Sequence, residues 1–192
     1  MSTTFSVNGT VTHHRHHSAH GPNITRLVNE QISKLAPYSA LILTIVCVFV
    51  FAYRLYFIEK FLMNTKTYKS KYLSLSEDQK RSFVNHHVAG TCKTVLLVSA
   101  VYPFLSIAFG KAAPHTPFAP GSSATMGDVM IVCSQLFTAM YIFELFYRVN
   151  VSPISAAHHV GAIVIAQSAV AISLNFDHEQ DAVIEFIMCF VW

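Results

Sequence analysis

The chain has 192 residues, of which 53% are hydrophobic and only 12% are charged, and its formal net charge is +3 at pH 7. A soluble domain carries roughly 25% charged residues. Here long apolar blocks alternate with short polar stretches, which is typical of a polytopic membrane protein with helices of about 20 residues. This composition argues against an ordinary soluble domain, and the small positive charge gives no indication of nucleic-acid binding.

Residues 1–35 are polar and rich in Ser, Thr, Asn and His, and we predict that they form a disordered tail. No apolar stretch of the signal-peptide type follows Met1. The tract HHRHHSAH at 13–20 could bind a metal weakly, but it lacks the surrounding hydrogen bonds that fix the ligands of a real metal site. We therefore predict no metal site and no cofactor.

Four apolar segments are long enough to cross a membrane as helices: 37–58, 88–110, 126–148 and 154–174. A fifth segment, 181–192, would reach only about 18 Å as a helix, against roughly 30 Å for the bilayer core. The predicted fold is an all-α, polytopic transmembrane helix bundle with four complete spans plus a partial fifth. We expect residues 36–192 to form an incomplete transmembrane domain.

The distribution of Lys and Arg predicts the orientation of the spans. The stretch 59–87 contains six of these residues, whereas 111–125 contains only Lys111. The basic stretch is therefore predicted to be cytoplasmic, with the N-terminus in the lumen of the endoplasmic reticulum or another endomembrane compartment.

Three sequons bear on the same question. Asn8 in NGT and Asn23 in NIT lie in the N-terminal tail. With that tail in the lumen, both are predicted to be glycosylated, so the two independent signals agree. Asn150 in NVS would face the cytosol and stay unmodified.

Local motifs predict where helices start and where they cannot form. In YLSLSEDQKRSFVNHHV (72–88), Ser74 or Ser76 can cap a helix that runs on toward the membrane. The stretch APHTPFAPGSSAT (113–125) has three prolines and is predicted to be non-helical. The four cysteines form no CxxC pair, and we interpret them as small hydrophobic residues of helices.

Two adjacent histidines, His158 and His159, open the fourth apolar segment in SPISAAHHVGAIVIAQ (152–167). Ionisable side chains inside a membrane are costly and usually functional. A neutral imidazole has one donor and one acceptor, which suits proton transfer to or from a hydroxyl or an amine. The alternative is that the pair only forms hydrogen bonds that hold helices together.

Glu144 is predicted to lie at the same depth as the histidine pair, because the third and fourth segments are antiparallel and joined by a short loop. A carboxylate in that place could orient an imidazole. Glu144 also precedes Arg148 by four residues, the favourable order for an ion pair on a helix. It could therefore pair with Arg148 alone, and both alternatives stay open.

The block YIFELFYRVNVSPISAAHHVGAI (141–163) resembles the core of the TLC domain, the polytopic membrane fold of ceramide synthases, TRAM proteins and less-characterised members. The shared pattern is an aromatic-rich helix with an acidic residue near its end, a short loop, and HH opening the next helix. The stretch 72–98 is similar to the segment by which the non-synthase members enter their second helix. The resemblance covers roughly 60–192.

The resemblance implies a helical bundle with a lipid-related function, with His158 and His159 as catalytic residues and Glu144 as their orienting partner. Cys92 stands where members often have a histidine, and the chain ends before the acidic residues that continue the synthase motif. We therefore expect lipid binding, sensing or trafficking in membrane lipid homeostasis.

The alternative function is a lipid N- or O-acyltransferase that uses the histidine pair, with acyl-CoA as substrate. The expected partners are membrane lipids, together with copies of this chain or other membrane proteins in an oligomer. No nucleic-acid partner is expected.

Overall fold

The computed structural model describes residues 33–173, and all regular structure in that range is helical. Its α-helices are α1 (Ser39–Tyr53), α2 (Glu59–Asn64), α3 (Lys66–Leu73), α4 (Glu77–Ala108), α5 (Met126–Tyr147) and α6 (Pro153–Ser173). A 3₁₀ turn, Ala36–Tyr38, precedes α1, and a π-helical turn, Arg54–Ile58, joins α1 to α2. The predicted all-α class is confirmed.

Four helical stretches are long and apolar enough to cross a membrane: Ala36–Asn64, Glu77–Ala108, Met126–Tyr147 and Pro153–Ile172. The protein is therefore a multi-pass membrane protein with a helical bundle, as predicted. The predicted fifth segment, 181–192, and the sequons at Asn8 and Asn23 lie outside the described residues.

Most of the predicted tail, residues 1–32, also lies outside the described part of the chain. Ser33, within the predicted tail, is 2% exposed and packed. Its hydroxyl donates to Asp128 Oδ1 at 2.6 Å, which attaches the beginning of the first span to the start of α5.

The basic stretch 59–87 is largely helical. The first span continues through α2 to Asn64, α3 follows, and α4 begins at Glu77. Helix therefore extends beyond the apolar segments, because hydropathy marks where apolar sequence ends, whereas a helix continues in polar sequence wherever capping and propensity allow. With 32 residues, α4 is about 48 Å long, well beyond the thickness of a bilayer core.

Ser76 caps α4, as predicted. Its hydroxyl accepts a hydrogen bond from the Gln79 amide, and the Gln79 side chain accepts one from the Ser76 amide, which completes a capping box. The predicted non-helical stretch 113–125 is also confirmed. It turns at Gly121, whose φ of 78° is a backbone conformation that favours glycine.

Helix α5 is the centre of the bundle and packs against α1, α4 and α6. In the most apolar 18 residues of α5, 56% of the residues are buried inside the bundle, whereas the corresponding share is 28% in α4 and in α6. Ala162, Ala166 and Ala169 are buried on α6 at intervals of three and four residues. Such small side chains allow helices to approach closely, so α6 can bring its first turns against the end of α5.

Arg54, in the π-helical turn, connects the first span to the last turn of α5. Its guanidinium carbon lies 4.6 Å from the centre of the Tyr147 ring, and it donates to the Glu59 carboxylate.

Cys92 and Cys133 are buried and free, and Cys47 is free and half-buried. These three fit the interpretation of the cysteines as small hydrophobic residues, while Cys189 lies outside the described range.

Candidate functional site

Glu144 contacts both of its predicted partners. Its Oε1 accepts a hydrogen bond from Arg148 Nη1 at 2.7 Å, and its Oε2 lies 3.4 Å from His159 Nε2. The pairing with Arg148 is therefore present but not exclusive, because the second carboxylate oxygen lies next to His159. The predicted proximity of Glu144 to the histidine pair is confirmed.

A short connection between α5 and α6 produces this geometry. Pro153 occupies the first position of α6, where its missing N–H costs nothing. The Ser152 hydroxyl accepts from the Ser155 amide at 3.2 Å and so caps the helix. Asn150 Nδ2 donates to Asp78 Oδ2 at 3.0 Å, which fastens the connection to the start of α4. The histidine pair consequently lies about two turns into α6, opposite the end of α5.

The imidazole of His159 is held on several sides. Its ring stacks on the ring of Tyr141, with centroids 4.5 Å apart and an interplanar angle of 27°. Besides Glu144, the Ser155 hydroxyl lies 3.4 Å from its Nε2. His158 is less buried and meets the Tyr141 ring edge-on, with centroids 5.9 Å apart. The two histidines therefore differ: His159 is fixed in place, and His158 is the more accessible ring.

A cavity of about 330 Å³ lies beside these groups, and we call it the His159 cavity. Its volume is at the lower end of the range for small-molecule sites. Its lining comes from one face of α4 and from the adjoining ends of α5 and α6: Ser82, Asn85, His86, Ala89, Lys93, Tyr141, Glu144, Arg148, His158 and His159.

Two buried polar atoms of residues that line the cavity have no hydrogen-bond partner within residues 33–173, Asn85 Oδ1 and His159 Nδ1. Asn85 is 5% exposed and His159 is 7% exposed. An unsatisfied buried polar group typically costs about 1–3 kcal/mol. Asn85 Oδ1 is an acceptor, and His159 Nδ1 is an acceptor in the neutral tautomer that carries its proton on Nε2, the nitrogen 3.4 Å from Glu144. Both unpaired atoms are then acceptors, suited to a hydroxyl or an ammonium group.

Sequence reasoning did not identify Asn85, Lys93 or Tyr141 as members of the site. The rule that singled out the histidine pair also applies to Lys93, an ionisable residue within the second apolar segment. Asn85, Ala89 and Lys93 recur at four-residue intervals, which places them on one face of a helix. That periodicity was the available signal for Asn85 and Lys93.

Asp128, Gln135 and Thr138, also on α5, lie outside the cavity and form bonds within the bundle. Asp128 is 6% exposed and accepts from the Ser33 hydroxyl and from the Thr125 amide. In the middle of the helix, Gln167 Nε2 on α6 donates to Gln135 Oε1 at 3.1 Å and to Thr138 Oγ1 at 3.0 Å.

Across residues 33–173, no group of three or more His, Cys, Asp or Glu side chains is arranged to hold a metal ion. Cys92, at the position where TLC members often have a histidine, is buried and does not line the His159 cavity. The side chains that line it can accept and donate hydrogen bonds, carry charge and exchange a proton.

The chain has no match among known protein families, curated proteins or solved structures. The similarity of 72–98 and 141–163 to the TLC domain therefore stays a prediction from the sequence.

Proposed function

We propose that this protein binds the polar head group of a membrane lipid in the His159 cavity and acts, as a TLC-type protein, in membrane lipid homeostasis by binding, sensing or moving that lipid. The observation that carries the proposal is that two side chains lining one cavity, Asn85 and His159, each have a buried polar atom without a partner within residues 33–173. Unpaired polar groups destabilise a fold, and a ligand with hydrogen-bond donors would remove that cost.

The apolar surroundings of the cavity support a lipid as the ligand. Leu97, one turn beyond Lys93 on α4, is 68% exposed. On α6, Val160 and Val164 follow the histidine pair and are also exposed. On helices of membrane-spanning length, such residues face acyl chains, so a lipid could place its head group in the cavity and its tails along this surface.

Binding is tested by mass spectrometry of lipids that copurify with the full chain. His159→Asn keeps hydrogen-bonding capacity but loses the imidazole, and we expect it to lose the bound lipid while remaining folded. His87→Asn is the matched control, because His87 bonds to the Phe83 carbonyl and does not line the His159 cavity. Equal lipid retention by wild type and His159→Asn would contradict the proposal.

The same variants can be compared in cells. At matched protein levels, His159→Asn should change the cellular lipid composition and His87→Asn should not. Unchanged lipids with His159→Asn would contradict the role in lipid homeostasis even if the cavity binds a lipid in vitro.

We further propose that the cavity opens toward the cytoplasmic leaflet of the endoplasmic reticulum, with the N-terminus in the lumen. The excess of Lys and Arg in 59–87 supports a cytoplasmic location of that stretch. The cavity belongs to the same side of the membrane, because Asp78, within 59–87, is bonded to Asn150 beside the site. Endoglycosidase should increase the electrophoretic mobility of the wild type. A variant with Asn8→Gln and Asn23→Gln should show no such shift. If a protease added outside sealed microsomes removes the N-terminal tail, the proposed orientation is contradicted.

Acyl transfer is a second candidate, favoured by the contact between Glu144 and His159. A carboxylate that orients a histidine is a recurring arrangement for activating a nucleophile. His159 Nδ1 would accept the proton of a lipid hydroxyl or amine as that oxygen or nitrogen attacks the acyl-CoA carbonyl. The carbon–sulfur bond breaks, and the CoA thiolate leaves and takes up the proton. Microsomes containing the wild type should then transfer acyl chains from acyl-CoA, and absence of transfer would leave only binding.

A further inference from the structure

We infer that the His159 cavity selects an anionic phosphate ester whose head group also carries a hydroxyl or amine donor. This inference deepens the proposed lipid binding and rests on it. It follows from two separate features of the lining: the exposed ammonium group of Lys93, and the buried polar atoms of Asn85 and His159 that have no partner within residues 33–173.

The charges of the lining favour an anion. Its one carboxylate, Glu144, is already bonded to Arg148. Lys93 lines the same cavity, and no carboxylate within residues 33–173 forms an ion pair with it. A lysine inside a membrane-spanning segment is costly without an anionic partner. A phosphate oxygen would supply that partner through a charge-assisted hydrogen bond.

The exposure of residues along α4 gives the ligand a direction. Asn85 is buried, Ala89 is buried one turn later, and Lys93 is exposed one turn after that. The small side chain of Ala89 leaves room between the amide and the ammonium. The eight residues from Asn85 to Lys93 span about 12 Å along the helix. A head group can therefore direct its donor to Asn85 and His159 while its phosphate lies near Lys93.

The unpaired acceptors exclude a trimethylammonium group as the preferred ligand, because it has no N–H or O–H to donate. A phosphate ester without an alcohol or amine would leave Asn85 Oδ1 unpaired. The ligand therefore needs both groups, and each is recognised by a different residue. Lys93 binds the anionic phosphate, and Asn85 accepts a hydrogen bond from the hydroxyl or amine.

Four lipids separate the two requirements in a factorial experiment. Phosphatidylglycerol is anionic with hydroxyl donors, phosphatidylmethanol is anionic without them, phosphatidylethanolamine is zwitterionic with donors, and phosphatidylcholine is zwitterionic without them. The full chain is incubated with equal mixtures in detergent, and bound lipid is quantified by native mass spectrometry. We expect the amount of bound phosphatidylglycerol to exceed that of bound phosphatidylcholine by about tenfold or more, as charge-assisted hydrogen bonds allow. The bound amounts of the other two lipids should lie between these two.

Variants assign the two requirements to residues. Lys93→Gln should reduce the preference for anionic over zwitterionic lipids roughly tenfold, and Asn85→Leu should abolish the preference for donor-bearing lipids. Lys80→Gln is the matched control, since Lys80 is also on α4 but pairs with Glu77 outside the cavity. Thermal unfolding of each variant establishes that it is folded.

The outcomes distinguish this inference from the proposed function. Equal binding of all four lipids, or a preference unchanged by Lys93→Gln, overturns the inference and leaves lipid binding intact. Binding of none overturns both. Soluble glycerol 3-phosphate is the final probe: if it displaces phosphatidylglycerol at equal concentration, the head-group chemistry stands but the ligand is a soluble phosphate ester, and the lipid-binding proposal fails.

Discussion

The two ends of α5 each carry a mostly buried carboxylate, and they differ in how fully the surrounding polar atoms are bonded. At its start, Asp128 accepts from Ser33 at 2.6 Å and from the Thr125 amide at 2.9 Å, and it caps its own helix. At its end, Glu144 bonds to Arg148 and contacts His159 beside a cavity with two unpaired acceptors.

The comparison separates a structural cluster from a binding site on one helix. Around Asp128 each oxygen has a partner from the chain itself, so the cluster needs nothing more. Around Glu144 the bonds orient His159 and Arg148, while Asn85 is left without a partner for its carbonyl oxygen. Burial of a carboxylate therefore does not mark a site by itself, whereas a buried polar atom without a partner beside a cavity calls for an explanation, which the proposed ligand supplies.

The largest effect on stability is expected at the fully bonded end. Asp128→Ala removes the capping box of α5 and leaves the buried Ser33 hydroxyl unpaired. We expect a loss of about 3 kcal/mol, the sum of a lost cap and an unsatisfied group, measured by unfolding in detergent. Asp78→Ala, an exposed acid in the first turn of α4, should cost under about 1 kcal/mol. A loss that small for Asp128→Ala would contradict a structural role.

An intermediate effect is expected in the middle of the helix. Gln167→Leu removes two hydrogen bonds from α6 to Gln135 and Thr138. Hydrogen bonds between membrane helices average about 0.6 kcal/mol, so we expect a loss of about 1 kcal/mol in the same unfolding assay. Replacing Gln135 and Gln167 together by Leu should cost less than the two single changes added, because neither glutamine is then left facing an apolar side chain. Additive losses would exclude a direct interaction.

The smallest effect on stability, with the opposite sign, is expected at the His159 cavity. Asn85→Leu removes an unpaired amide oxygen from a buried position, and we expect unfolding free energy without ligand to stay equal or rise by up to about 1 kcal/mol. Bound lipid should be lost at the same time. A clear destabilisation would show that Asn85 supports the fold, and the contrast between the two ends of α5 would then disappear.

The closeness of Glu144 to the histidine pair could be predicted because a five-residue connection and antiparallel packing bring those turns together. That the Glu144 carboxylate contacts Arg148 and His159 at the same time could not be predicted, because this depends on side-chain positions on two packed helices. Asn85 and Lys93 were missed for a related reason. Each lies more than 50 residues before the histidine pair, and only the contact between α4 and α5 brings that face of α4 to the cavity.

The sequence by itself determined the all-α class, the four spans, the cap at Ser76 and the non-helical stretch before α5. These features depend on hydrophobic composition, prolines and side chains within a few residues of each other, which act locally. Tertiary structure alone decided that α5 is central, that Ser33 bonds to Asp128 across 95 positions of sequence, and that one end of α5 has a cavity. Packing decides such features because a cavity or a satisfied carboxylate depends on how side chains from distant segments fill the same space.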